Sequence, residues 1–157
     1  MKIRKSLLII VLSSVLLFNC GFTVIKKDKF QNFGIFKIDT SGENRINYIL
    51  KNKLKNISNE SENNFHLDIK SNKLKIIKEK NIKNEITKYQ ISINVSIDYK
   101  LIGNNDKGSF VISKSGVFDV NNQYSKTINN EKNLIKSLTV EIIDELLNNL
   151  RIITDDL

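Results

Sequence analysis

The clearest signal in the chain runs from Tyr89 to Leu101. Tyr89, Ile91, Ile93, Val95, Ile97, Tyr99 and Leu101 alternate without a miss against Gln90, Ser92, Asn94, Ser96, Asp98 and Lys100. Successive side chains of a strand point to opposite faces, so this stretch predicts a long strand with one buried and one polar face. Upstream, Phe65, Leu67 and Ile69 alternate with His66, Asp68 and Lys70, which predicts a second half-buried strand. Its apolar set then moves to even positions at Leu74 and Ile76, and a one-residue slip of this kind predicts a bulge near Ser71 to Lys73. Gly103 to Gly108 is rich in turn formers and is followed by Phe110, Ile112, Phe118 and Val120 on even positions, so the last two strands read as a hairpin.

Two segments switch to helical spacing. Thr40-Ser41-Gly42-Glu43 has the form of a capping box with Thr40 as N-cap, after a short β-prone stretch, FGIFKI, at 33–38. Ile46, Ile49, Leu50, Leu54 and Ile57 then share one helical face, and the polar run Ser58 to Asn64 ends that helix. After Asn121 to Asn130, Leu134, Ile135, Leu138, Ile142, Leu146 and Leu150 form one stripe, widened by Ile143, Leu147 and Ile153. The order is β-α-β-β-β-α. One-faced strands and one-striped helices pack most economically as an α+β two-layer sandwich, with two helices on one face of a four-stranded, mostly antiparallel sheet. This single domain spans 33–157.

The first nineteen residues carry a different pattern. Lys2, Arg4 and Lys5 precede an apolar run from Ser6 to Phe18, too short to span a bilayer comfortably and shaped like a secretory signal. The chain's one cysteine, Cys20, sits where a bacterial lipoprotein carries its acylated residue. Residues 1–19 therefore read as a lipoprotein signal peptide and 20–32 as the lipidated Cys and a tether. Several acyl chains at about 0.8 kcal/mol per buried methylene exceed what stable anchoring needs. Gly21 follows the Cys where lipoproteins retained at the inner membrane carry Asp, which points to the outer membrane. Asn19 before the Cys departs from the small residue usual there.

Composition narrows the chemistry. One Cys and one His leave no disulfide framework, zinc ribbon or iron–sulfur cluster, so no metal or other cofactor is expected. A net charge of +8 would suggest nucleic acid, but the basic residues are 22 Lys and 3 Arg in a chain also rich in Asn and Ile, a coding bias. With bidentate Arg scarce and an export signal present, no nucleic-acid partner is expected. His66 lies on the polar strand face with no nucleophile arranged beside it. Asp144-Glu145 and Asp155-Asp156 are adjacent pairs that point in different directions. No phosphate loop or nucleophile elbow is present, and the expectation is a protein that is not an enzyme.

Cys20-Gly21-Phe22, the short strand, the Arg45-Ile46-Asn47-Tyr48-Ile49-Leu50-Lys51 helix, the β-hairpin and the final amphipathic helix together resemble the LPS-assembly lipoprotein family, LptE. The resemblance covers the mature chain as a pattern of elements. It implies an outer-membrane lipoprotein, facing the periplasm, that plugs and helps fold an LptD-like β-barrel and binds lipopolysaccharide. The polar face made by Gln90, Ser92, Asn94 and Ser96 suits the wet interior of such a barrel. Lys73, Lys75, Lys78, Lys80, Lys83 and Lys88 gather near the connection between the second and third strands, and are the candidates for the phosphates of lipopolysaccharide. The alternative is an auxiliary lipoprotein of an ABC-type lipid transport system, binding lipid between helices and sheet.

Overall fold

A computed structural model describes residues 33–55, 63–103 and 106–155. Its elements are β1 (Gly34–Gly42), α1 (Asn44–Lys55), β2 (Asn64–Lys80), β3 (Ile86–Ile102), β4 (Lys107–Asp119) and α2 (Tyr124–Asp155). The strands form one sheet in the order β1-β2-β3-β4. β1 runs parallel to β2, joined through α1, and the other pairs are antiparallel. This is the two-layer α+β sandwich that the hydrophobic pattern predicts, with the β-α-β-β-β-α order. Cys20, the signal segment and the tether lie outside the described residues, as does Ile57.

The core lies between the layers. Phe65, Leu67 and Ile69 from β2, Ile91, Ile93, Val95 and Ile97 from β3, and Ile112 and Phe118 from β4 point to one side. Ile46, Leu50 and Leu54 of α1 and the Ile135-to-Leu150 stripe of α2 close over them. Phe65 meets Phe33 and Tyr99 edge to face, with centroids 5.7 and 5.9 Å apart, and Tyr89 stacks on Phe118 at 5.7 Å. α2 begins earlier than its apolar stripe indicates, at Tyr124. Thr127 secures this start: its hydroxyl accepts from the Asn121 N–H at 2.9 Å and lies 3.2 Å from the Asn121 carbonyl.

Two local expectations fail, each for its own reason. The capping box does not form, because β1 continues through Thr40 to Gly42, where pairing with β2 satisfies the backbone that a cap would serve. The helix instead starts after Glu43, whose carbonyl accepts from the Asn47 N–H at 3.0 Å. The bulge near Ser71 to Lys73 is also absent: β2 and β3 pair in unbroken register from Asn64–Ile102 to Ile77–Tyr89. The slips lie elsewhere: in β1 between Ile35 and Lys37, where Phe36 turns out to solvent, and at the far end of β2 between Ile77 and Lys80. Finally, the move of apolar residues to even positions at Leu74 and Ile76 is real, but it marks where β2 outruns its cover. β1 lies alongside β2 only as far as Ser71. Ser71 is itself buried, and its hydroxyl accepts from the Glu43 N–H at 3.0 Å while donating to Asn47 Oδ1 at 2.7 Å. A polar residue on the core face is thus satisfied rather than misplaced.

Candidate functional site

The face of the sheet away from the helices is open, and cross-strand register orders it in rows. At one end Lys37, His66, Lys100 and Lys107 stand side by side, and next to them Asp39, Asp68, Asp98 and Ser109. The middle rows are uncharged except for Lys70: Ser41, Lys70, Ser96 and Val111, then Asn72, Asn94 and Ser113, then Leu74, Ser92 and Ser115. Next come Ile76, Gln90 and Val117, and the last full row is Glu79, Lys88 and Asp119. Gln90, Ser92, Asn94 and Ser96 therefore lie together on the open face, with hydroxyls and amides from β2 and β4 on both sides. The face grades from charged, through polar, to aliphatic, and closes on a second charged row.

The charged end holds an arrangement the linear sequence conceals. Register places three aspartates directly opposite one another across three strands, a repulsive geometry unless offset. Lys37 Nζ lies 2.6 Å from Asp39 Oδ2, and His66 Nε2 lies 2.8 Å from the same oxygen. The hydrogen bond from Lys37, followed by that from His66, holds the Asp39 carboxyl below its ordinary range, and the same contact raises Lys37. Asp39, His66 and Asp68 bring their ligand atoms within 4.8 Å of one another. Counting one His in the sequence discounts this trio, because only strand register brings it together. Lys37 and His66 already satisfy Asp39, so its charge is offset without an ion. Two concavities open on this end, one of about 460 Å³ beside Asp98, Lys100 and Lys107, the other of about 260 Å³ beside Ser41, Asp68 and Lys70.

A pH dependence follows from the Asp39 contacts. A carboxyl whose folded pKa is depressed contributes stability above its unfolded value, and that contribution disappears as pH falls through the folded value. Asp39→Asn removes it. In urea titrations, the wild type is expected to exceed Asp39→Asn in midpoint at neutral pH, with the gap closing as pH drops below the ordinary carboxylate range. The group is exposed, so the gap is small.

The six lysines do not form one cluster. Lys73 and Lys75 lie on the helix side of β2, where Lys73 is 3.6 Å from Glu43 and Lys75 is 2.6 Å from Glu131. Lys75 also sits over the Tyr89 ring, 4.4 Å from its centroid. Lys88 pairs with Glu79 at 2.7 Å. Lys78, Lys80 and Lys83 gather at the β2–β3 turn, where the ammoniums of Lys78 and Lys83 have no partner among the described residues and that of Lys80 meets the neutral Asn84 side chain. Sequence reading missed the aliphatic stretch of the open face. Its signal is present in the parity of Leu74, Ile76 and Val117, read against the β3 alternation.

Among the described residues, no helix is long and apolar enough to cross a membrane. No protein-family model and no curated protein matches the chain. Solved structures do. Rare lipoprotein B from Shewanella oneidensis aligns at 11% identity and a TM-score of 0.58, covering 76% of this chain and 97% of its own. Lipoprotein B from Nitrosomonas europaea aligns at 14% identity and a TM-score of 0.58, covering 86% and 93%. At such identities the likeness is one of fold, and the fold is one that bacterial lipoproteins use over nearly their whole length.

Proposed function

We propose that this chain is a lipid-anchored lipoprotein of the outer membrane, facing the periplasm, that docks in an LptD-like β-barrel and assists lipopolysaccharide assembly, with no catalytic step of its own. The observation that carries this reading is the open sheet face. Rows of Ser, Asn and Gln run across β2, β3 and β4 without helical cover, and a surface rich in hydroxyls and amides matches the polar inner wall of a membrane barrel. The lipoprotein folds that align with the chain, and the Cys20-Gly21-Phe22 start, support the same reading. Of the six lysines, Lys78, Lys80 and Lys83 have ammoniums free of ion pairs among the described residues and are the ones available to lipopolysaccharide phosphates.

The alternative of a lipid carrier for an ABC-type system has less support. A ligand between the layers would need room that Phe65, Tyr89, Phe110 and Phe118 occupy, and both concavities open chiefly on the opposite face.

A mild-detergent pull-down of the tagged full chain tests the proposal. Stoichiometric recovery of a large outer-membrane barrel is expected, and recovery of the chain alone, or with an inner-membrane transporter, contradicts it. Ser92→Asp sharpens the test. Ser92 is half-buried between Leu74 and Ser115 on the open face, so the change is expected to cost about 1 kcal/mol or less in stability while reducing barrel recovery. Loss of the cooperative melting transition in this variant contradicts the face assignment.

A further inference from the structure

The sheet has two edges, and they differ. β1, nine residues long, carries a break in register between Ile35 and Lys37 and presents Lys37 and Asp39 on the open face. Bulges and charges of this kind discourage a further strand from pairing. β4, thirteen residues long, pairs with β3 in unbroken register from Lys107 to Asp119 and contains no proline. Among the described residues no strand lies beyond it. Half of its backbone N–H and C=O groups therefore point away from β3, a template for one more strand.

The side chains of β4 decide which strand fits. Its open-face positions are Lys107, Ser109, Val111, Ser113, Ser115, Val117 and Asp119, all exposed, and those between the two ends carry no charge. Lys107 stands beside Lys100, whereas the lysine beside Asp119, Lys88, pairs with Glu79 at 2.7 Å. Neither Lys107 nor Asp119 has an ion-pair partner among the described residues. The two are equally far from Ser113 along the strand. An antiparallel second β4, related by a two-fold axis through Ser113, sets Lys107 opposite Asp119 at both ends of the ladder, Ser109 opposite Val117 and Val111 opposite Ser115. A slip of two residues, the smallest that keeps both core faces on one side, leaves Lys107 opposite Val117 or brings Lys114 opposite Lys114.

We propose that β4 pairs with the β4 of a second copy of this chain, antiparallel and centred on Ser113, joining two four-stranded sheets into one. The self-complementary charge pattern selects a second copy over an unrelated strand. The contact is isologous and uses the unguarded edge of each copy, so the assembly closes at two. Both open faces end on the same side, uncovered by the contact. The inference goes beyond barrel docking and does not rest on it.

Disulfide trapping of the full chain in mild detergent tests the register. Ser113→Cys sets two thiols across the axis, within the Cα spacing of roughly 4.4–6.8 Å that a disulfide accepts. Ser115→Cys, exposed on the same face, is roughly 13 Å from its counterpart at about 3.3 Å per residue and cannot be bridged. On oxidation, a covalent dimer above the wild-type background set by Cys20 is expected from Ser113→Cys and not from Ser115→Cys. Equal trapping at the two positions, or none at Ser113→Cys, overturns the proposal. Sedimentation of the wild type is expected to show a monomer–dimer equilibrium. Lys107→Asp sets like charges opposite one another at both ends and is expected to weaken dimerisation on the order of tenfold, and adding Asp119→Lys restores it by exchanging the two ends. A monomer at every concentration, species larger than a dimer, or a double variant that dimerises no more tightly than Lys107→Asp alone overturns it as well.

Discussion

Ile97→Asp is expected to abolish cooperative folding. Ile97 is fully buried on β3, and its cross-strand neighbours on the core face are Ile69 and Phe110, with no basic residue in the row. A carboxylate there is unpaired in an apolar interior, and the cost is at least several kcal/mol. Domains of this size are stable by about 5–15 kcal/mol in total, so most of the margin goes. Ile93→Asp provides an informative contrast. Ile93 is equally buried, but its neighbours across the strands are Lys73 and Lys114, so an introduced carboxylate has ammoniums within reach. Circular dichroism melts are expected to show no native transition for Ile97→Asp and a lowered but cooperative one for Ile93→Asp. Equal behaviour of the two would contradict the assigned register.

Gly42→Ala is the second large effect. Gly42 ends β1 with φ 97°, a region L side chains rarely adopt, and a Cβ there would be driven into the Ser71 carbonyl oxygen. The obstacle is backbone in the adjoining strand, so the parallel β1–β2 pair or the start of α1 must move. Strain and displacement together are expected to cost about 2–4 kcal/mol. Gly103 separates the two contributions. It has φ 116° with open space where a Cβ would go, so Gly103→Ala is expected to cost only the backbone term, about 1 kcal/mol. Urea midpoints of the two variants check this, and a larger loss at Gly103 than at Gly42 would contradict it.

The same features explain which parts of the fold were legible in the sequence. β3 is buried on one face along most of its length, so its seven apolar positions alternate without interruption, and α2 crosses the sheet under continuous contact, so its stripe is equally clean. β2 is legible only as far as Phe65, Leu67 and Ile69. Beyond them Ser71 is buried by hydrogen bonds rather than by hydrophobicity, and Lys73 and Lys75 occupy the helix side where they pair with Glu43 and Glu131. Alternation reports burial, and where burial ends it reports nothing about register. The bulge expected in β2 comes from reading past that limit, and the Thr40 cap from a local motif that pairing with β2 overrides. The site divides in the same way. The polar row from Gln90 to Ser96 was legible because it is the complement of a buried face, whereas the Asp39, His66 and Asp68 trio needed the pairing of three strands to appear.

The central claim is that the open face of the sheet meets the wall of a membrane barrel. Site-specific photo-crosslinking in intact membranes tests it most directly, with a photoreactive residue at Asn94 in the middle of that face and another at Tyr48, exposed on α1. The expected result is an adduct from Asn94 to a large outer-membrane β-barrel. No barrel adduct from Asn94, with or without one from Tyr48, would contradict the account.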